Sequence, residues 1–424
     1  MGIIQDLEFR GLIHQMTDVE GLERKLGSEQ IALYAGFDPT ADSLHIGSLL
    51  PILVLRRFQL AGHIPIALVG GGTGLIGDPS GKASERTLNT QEVVADWTES
   101  IRCQLERFLD FTAPNNAAKM ANNYDWFKSV NVIEFLRDIG KNFTLNYMLA
   151  KDSVDSRLSK GISYTEFSYM ILQAYDFLKL NQEHNCSLQI GGSDQWGNIT
   201  AGMELIGKTT QERVYGLTIP LVTKSDGTKF GKTESGTIWL DPLKTTPYQF
   251  YQFWINTEDA DVICFLKYFT FLKAPEILLL EEELKQSPEK RAAQKILAKE
   301  VTTLVHGEAA LLSSEKITQA LFQGHVQLLS ITEVEEAFQD VPSKELMGQD
   351  EIGLIELLIF AGVSPSKRQA RQDIESGAVY INGVRMTELE NIFSRADCLH
   401  QKYLVIRRGK KNYFLVKFSM DTIN

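Results

Sequence analysis

The chain has 424 residues, 43% hydrophobic and 23% charged, with a formal net charge of −11, which suits a globular protein of about two to four domains. That acidity excludes a generally basic, histone-like binder and leaves room only for a local basic patch. There is no basic-then-apolar leader, no bilayer-length apolar run and no Cys-x-x-Cys pair among Cys103, Cys186, Cys264 and Cys398, so a cytoplasmic protein without a membrane span, zinc site or disulfide framework is expected.

Ile31-Ala32-Leu33-Tyr34 predicts a buried strand, followed by an amphipathic helix over 49–61. Ile66-Ala67-Leu68-Val69 predicts a second strand, 132–139 another amphipathic stretch, Leu188-Gln189-Ile190 a third strand, and 214–222 one more. Such alternation argues for a parallel sheet wrapped by helices, with ligands beyond the carboxyl ends of its strands. The loops after Leu33, Val69 and Ile190 are therefore where chemistry is expected. From 246 to 323 the pattern turns helical, with Glu281-Glu282-Glu283-Leu284 and 292–304 rich in helix formers. Residues 324–349, broken by Pro342 and Gly348, read as a connector. A small tail domain follows. It has a helix-turn-helix-like piece over 352–377, a strand running into a turn at Val379-Tyr380-Ile381-Asn382-Gly383, and a closing hairpin over 403–416 with a basic turn.

Gly72-Thr73-Gly74-Leu75-Ile76-Gly77 follows the second strand and fits G-x-G-x-x-G, which taken alone suggests dinucleotide binding. That reading needs a helix to begin within the motif and hold the pyrophosphate. Here Asp78-Pro79-Ser80-Gly81 follows at once, and the residue before a proline avoids the α region. No strand ending in an acidic residue lies about 20 residues on, where a ribose-binding carboxylate belongs. An oxidoreductase is set aside on these grounds. Gly81-Lys82 and Gly231-Lys232-Thr233 resemble the end of a P-loop, but the earlier glycine falls on Ile76 and Asp226, so the pattern fails.

Two segments suit a nucleotide. Tyr34-Ala35-Gly36-Phe37-Asp38-Pro39-Thr40-Ala41-Asp42-Ser43-Leu44-His45-Ile46-Gly47-Ser48 runs from the first strand into a helix. It places small residues and an imidazole at a helix N-terminus, where an anionic phosphate is favoured. Lys224-Ser225-Asp226-Gly227-Thr228-Lys229-Phe230-Gly231-Lys232-Thr233 is a polar loop with cations able to stabilise a polyphosphate in a transition state. Each has a plainer reading alone, as a helix cap and as a solvated turn.

Together they resemble the two signatures of class I aminoacyl-tRNA synthetases, usually His-Ile-Gly-His and Lys-Met-Ser-Lys-Ser or Lys-Phe-Gly-Lys-Thr. Phe37-Asp38-Pro39-Thr40-Ala41, Gly77-Asp78-Pro79-Ser80, Gln189-Ile190-Gly191-Gly192-Ser193-Asp194-Gln195-Trp196-Gly197-Asn198 and Tyr248-Gln249-Phe250-Tyr251-Gln252-Phe253-Trp254 extend the likeness. The chain resembles the bacterial tyrosyl-tRNA synthetases along essentially its whole length. The resemblance implies a ligase that joins L-tyrosine to ATP and then to tRNA(Tyr). It implies Mg²⁺ carried on the ATP phosphates, no tightly bound cofactor and no protein metal site. A catalytically silent RNA-binding paralogue is the alternative.

The resemblance also implies roles. Tyr34 and Asp176 bind the phenolic hydroxyl, a pair that phenylalanine would leave unsatisfied. Asp78, Tyr169 and Gln173 hold the ammonium, and Gln195 lies near the reacting carboxylate. Asp38, Gly47, Ser48, Gly191, Gly192 and Asp194 form the ATP cleft, Asp194 taking the ribose. Thr40 and His45 bind the γ-phosphate, while Lys82, Arg86, Lys229, Lys232 and Thr233 bind the pyrophosphate. No general base is needed, because the tyrosine carboxylate is already a nucleophile. Two positions depart from the pattern: Ser48 stands where the second histidine is usual, and Ala35 where a cysteine is common.

The resemblance sets the domain plan as well. It expects a Rossmann-like catalytic domain over 1–222, the lysine loop and linker over 223–245, an α-helical anticodon-region domain over 246–323, a linker over 324–349 and a small α+β RNA-binding domain over 350–424. In that last domain Lys367, Arg368 and Arg371 fall on one helix face, and Arg407, Arg408, Lys410 and Lys411 form a basic hairpin, both suited to tRNA phosphates. Relatives are homodimers built around an insertion, here 124–161, whose apolar residues Phe135, Leu136, Ile139, Phe143, Leu145 and Met148 suit an isologous interface.

Overall fold

Six strands form the first sheet: β1 Gln15–Met16, β2 Ala32–Phe37, β3 Ile64–Val69, β4 Lys119–Asn122, β5 Cys186–Gly192 and β6 Tyr215–Ile219. Their order is β1-β6-β5-β2-β3-β4, with β2 to β6 parallel and β1 antiparallel at one edge. The central strands are near-continuous apolar runs because helices cover both faces. The chain order reverses between β2 and β5, the switch point at which such sheets open a crevice. The predicted parallel sheet is present. Its edges, β1 and β4, were not predicted, since Gln15-Met16 and Lys119-Met120-Ala121-Asn122 carry too little apolar periodicity to stand out.

The computed structural model describes residues 2–80, 88–151, 154–155, 158, 161–225, 230–233, 236–348, 351–409 and 412–419, without the side chains of Lys232 and Thr233. Two units result, 1–245 with 255–305, and 246–254 with 306–424. Among the described residues no helix is long and apolar enough to cross a membrane.

In the first unit the sheet carries α1 Ile3–Arg10, α2 Ile46–Leu60, α3 Tyr164–His184 and α4 Trp196–Thr209. Helix α5, Asp259–Phe269, belongs here too. Its carboxyl end is held by two buried arginines: Arg10 donates to the carbonyls of Lys267 (3.0 Å), Thr270 (3.2 Å) and Leu272 (2.7 Å), and Arg57 to that of Thr270 (2.5 Å). The Lys267 and Thr270 carbonyls lie in the last turn and at the C-cap, where a helix leaves acceptors unsatisfied, and Leu272 follows just after. The helical stretch 246–323 is therefore divided between the units and is not one body.

In the insertion, Ile139 and Met148 are core residues, with Phe135 and Phe143 packed on the same cluster. These four do not form an outward face. Among the described residues of the insertion, Val132, Ile133, Leu136, Leu145, Leu149 and Leu158 are the exposed large apolar side chains.

The second unit corrects the expected linker. Residues 324–349 hold a short turn at Val326–Leu328, helix α7 Ile331–Ala337 after α6 Glu308–Gln323, and strand β7 Ser343–Leu346. A Ser330/Glu333 capping box starts α7. Val326, Leu329, Val334 and Phe338 are buried with Tyr403, Val405 and Leu415, so the segment is part of a core. With β8 Val379–Ile381, β9 Val384–Arg385, β10 Tyr403–Arg408 and β11 Asn412–Phe418, β7 completes a sheet of order β9-β8-β10-β11-β7. The β8–β9 turn needs φ of 48° at Asn382 and 85° at Gly383. A Cβ on Gly383 would also lie 1.9 Å from the Gly324 carbonyl oxygen.

Candidate active site

A cavity of about 640 Å³ opens at the carboxyl ends of β2 and β5. Tyr34, Asp38, Thr40, His45, Gly47, Ser48, Asp78, Tyr169, Gln173, Asp176, Gly191, Gly192, Asp194 and Gln195 all line it, as does Ala35. Lys82, Arg86 and Lys229 lie outside the described residues. Lys232 and Thr233 are described only in backbone, as a short strand pairing with Gly236–Thr237.

Asp176 closes the deep end. Its carboxylate is 2% exposed and accepts from Asn123 Nδ2 (3.0 Å) and Trp126 Nε1 (2.8 Å). Burial pushes it well above the usual carboxylate range, and those two donors oppose the shift. Tyr34 is also buried, and its hydroxyl has no hydrogen-bond partner among the described residues. Burial, and then the Asp176 charge, raise its phenol. The Gln173 Oε1 atom is likewise buried without a partner. Polar groups left unsatisfied in a cavity wall are costly unless something entering the cavity satisfies them.

A hydrogen-bonded chain runs across the cavity wall. Asn123 Nδ2 donates to Thr73 Oγ1 (2.8 Å), Thr73 to Asp38 Oδ1 (2.7 Å), and the Tyr169 hydroxyl to Asp38 Oδ2 (2.6 Å). Asp38 thus sits in the wall as the acceptor of two hydroxyls. The glycine loop serves this chain: Gly72 N donates to Asn123 Oδ1 (2.7 Å), and a Cβ on Gly70 would lie 2.0 Å from Asp38 Oδ1. Asp78 accepts from Ser80 N (2.9 Å) and Gln195 Nε2 (2.7 Å), and Asn198 donates to Gln195 Oε1 (3.1 Å). Thr73, Asn123 and Trp126 were missed by sequence reasoning. Thr73 lies in the loop after the second strand, where chemistry is expected, whereas Asn123 and Trp126 follow β4, a strand that the sequence does not mark.

His45 is the N-cap of α2, its Nδ1 accepting from Gly47 N (3.0 Å). The His45 segment is laced to the chain beyond the lysine loop, with Ile46 N bonded to Ile238 O (2.9 Å) and Leu240 N to Leu44 O (2.9 Å). Gly231, at φ 76°, leaves the loop under Ile46, where a Cβ would meet Cγ2 at 2.4 Å. Helix α5 holds the loop's other side: Ser225 N donates to Asp261 Oδ1 (2.9 Å), and Phe230 packs on Phe265 and Phe269.

In the second unit Lys367, Arg368 and Arg371 are exposed on helix α8, Lys367–Glu375. The basic hairpin is different. Arg408 is held by Asp373 (3.0 Å) and the Val363 carbonyl (3.1 Å), which withdraws it from the exposed basic set. The Arg407 guanidinium lies over the Tyr380 ring, 4.0 Å from its centroid. Lys410 and Lys411 lie outside the described residues.

The family model for tRNA synthetases class I (W and Y) matches residues 26–323, and that for the tyrosine–tRNA ligase SYY-like C-terminal domain matches 333–416. The chain is 65% identical to tyrosine–tRNA ligase 1 of Bacillus cereus, over 99% of this chain and 100% of that protein. Against tyrosine–tRNA ligase 1 of Bacillus subtilis it is 63% identical, over 98% and 99%. Among solved structures, a C-terminally truncated mitochondrial tyrosyl-tRNA synthetase of Aspergillus nidulans matches with TM-score 0.69 and 32% identity, covering 76% of this chain and 94% of that one.

Proposed function

The chain belongs to the tyrosine–tRNA ligases of the class I tRNA synthetase family, and from that membership we propose how its cavity activates L-tyrosine with ATP and passes it to tRNA(Tyr). The observation that carries the reading is the buried, unpartnered Tyr34 hydroxyl in the cavity that Asp176 closes. A substrate phenol donates to Asp176 and accepts from Tyr34, and phenylalanine leaves both unsatisfied. The ammonium goes to Asp78, Tyr169 and the unpartnered Gln173 Oε1, with Gln195 near the carboxylate.

ATP lies along Asp38, Gly47, Ser48, Gly191, Gly192 and Asp194, its Mg²⁺ riding on the phosphates. A carboxylate oxygen of tyrosine attacks the α-phosphorus, the bond to the β-phosphate oxygen breaks, and pyrophosphate leaves. Thr40 and His45 steady the γ-phosphate, while Lys82, Arg86, Lys229, Lys232 and Thr233 neutralise the leaving group. Catalysis is positioning and electrostatics without a general base. A hydroxyl of the terminal adenosine of tRNA(Tyr) then attacks the carbonyl carbon of the tyrosyl-adenylate, the bond to the phosphate oxygen breaks, and AMP leaves. Lys367, Arg368 and Arg371 meet RNA phosphates, and the exposed Val132, Ile133, Leu136 and Leu145 form a homodimer face. The reaction belongs to the cytoplasm.

Amino-acid-dependent ATP–pyrophosphate exchange tests this. Exchange with tyrosine and not phenylalanine is expected. A folded protein that exchanges with no amino acid would instead be a silent RNA-binding paralogue.

A further inference from the structure

Two described residues of the lysine loop, Ser225 and Phe230, are seated on one face of a helix that lies outside the cavity lining. Asp261, Phe265 and Phe269 are spaced four apart on α5 and so share a face. Ahead of Lys229 and Lys232, Ser225 N donates to the carboxylate of Asp261, itself only 6% exposed. Between Lys229 and Lys232, the Phe230 ring lies 5.0 Å from the Phe265 centroid and 5.3 Å from that of Phe269, stacked within 14° on the latter. Phe265 and Phe269 are buried, and Phe230 also lines the cavity. Helix α5 cannot drift, because Arg10 and Arg57 bind the carbonyls at its carboxyl end. Arg57 lies on α2, the helix capped by His45. One buried framework thus sets both signature segments relative to each other.

We propose that Asp261 and the Phe230–Phe265–Phe269 cluster are positioning residues for tyrosine activation, fixing the lysine loop where its cations meet the departing pyrophosphate. The inference rests on the pyrophosphate role given to Lys232. Asp261, Phe265 and Phe269 lie outside the cavity lining, and Phe230 is not among the residues given to tyrosine, so ground-state tyrosine binding does not use them. A loosened seat is felt only when leaving-group charge develops, which lowers kcat and leaves the KM for tyrosine alone. Transfer from a preformed adenylate has no pyrophosphate to hold and is unaffected.

The test uses the full chain with Asp261→Ala, Asp261→Asn, Phe230→Ala and Lys232→Ala. Tyrosine-dependent pyrophosphate exchange, tyrosine binding by equilibrium dialysis, and single-turnover transfer from isolated adenylate complex to tRNA are measured for each. Asp261→Ala and Phe230→Ala are expected to lower the exchange kcat about 10-fold, with tyrosine binding and transfer unchanged. Asp261→Asn keeps an acceptor for Ser225 N and is expected to recover most of that loss. An unchanged kcat in Asp261→Ala and Phe230→Ala, equal damage in Asp261→Asn, or a parallel loss of tyrosine affinity would overturn the proposal. If those two variants are unaffected while Lys232→Ala is slow, the seating idea alone is wrong. If Lys232→Ala is also unaffected, the reading of the loop is wrong and takes the seating idea with it.

Discussion

Asp176 has an ordinary carboxylate value of 3.8 that burial drives upward, so its proton is bound more tightly in the folded chain than in the unfolded one. Stability from this group is full below the unfolded value and is lost as pH rises through the folded one. Asp176→Asn has no such slope. Its melting temperature, relative to the parent, should therefore climb as pH is raised from about 4 to 8, while tyrosine binding is lost. A pH-independent difference in calorimetry would contradict this. The departures Ala35 and Ser48 both line the cavity. Each missing neutral hydrogen bond is worth about 0.5–1.5 kcal/mol, so Ala35→Cys with Ser48→His should raise kcat/KM for ATP. Unchanged or lower values in steady-state kinetics would count against it. At this scale the sequence pointed to side chains that do line the cavity, as at Tyr34, Asp176 and Gln173. Asn123, Thr73 and Trp126 were not legible, because their work is to hold another side chain, and no spacing announces that.

Among elements, α5 is fastened at its carboxyl end by arginines near the N-terminal helix. Burial and then Arg10 push the Arg57 guanidinium down to about 9, and Asp6, which also takes Arg10 Nε at 2.9 Å, opposes that shift. Arg10→Met removes donors from three carbonyls and a partner from Asp6. The expected loss is about 3 kcal/mol in urea unfolding of the full chain; a change within about 0.5 kcal/mol, as at an ordinary surface site, would show the fastening to be unimportant. None of this was readable in advance, since Arg10 and Lys267 are far apart in sequence and both look like surface residues. The segment 324–349 was misread for a related reason. Pro342 and Gly348 suggest a linker, yet Ser330-Ile331-Thr332-Glu333 is a capping box, and four apolar residues nearby supply a buried face. In the insertion the apolar content was visible but not its division into core and surface. Phe135 packs against the core cluster while its neighbour Leu136 is exposed, since adjacent helical residues point about 100° apart.

For the molecule as a whole, a net charge of −11 makes the exposed Lys367, Arg368 and Arg371 an exception rather than the rule. Their joint replacement by alanine should weaken tRNA binding and lower the slope of log affinity against log salt by about 2–3, with tyrosine activation intact. An unchanged slope in filter-binding titrations would move the RNA contact elsewhere. Leu136→Asp and Leu145→Asp, at exposed apolar positions, should shift sedimentation toward monomer on dilution; Ile139→Asp should instead unfold the insertion. The hydrogen bond from Gly47 to His45 has a further consequence. Because Nδ1 accepts, the neutral ring must carry its hydrogen on Nε2, so the backbone of α2 selects the tautomer. The imidazole can then donate to an anion without first becoming a cation. Acid that adds a second proton has only Nδ1 to put it on, against the Gly47 N–H, so charging the ring uncaps the helix that presents it.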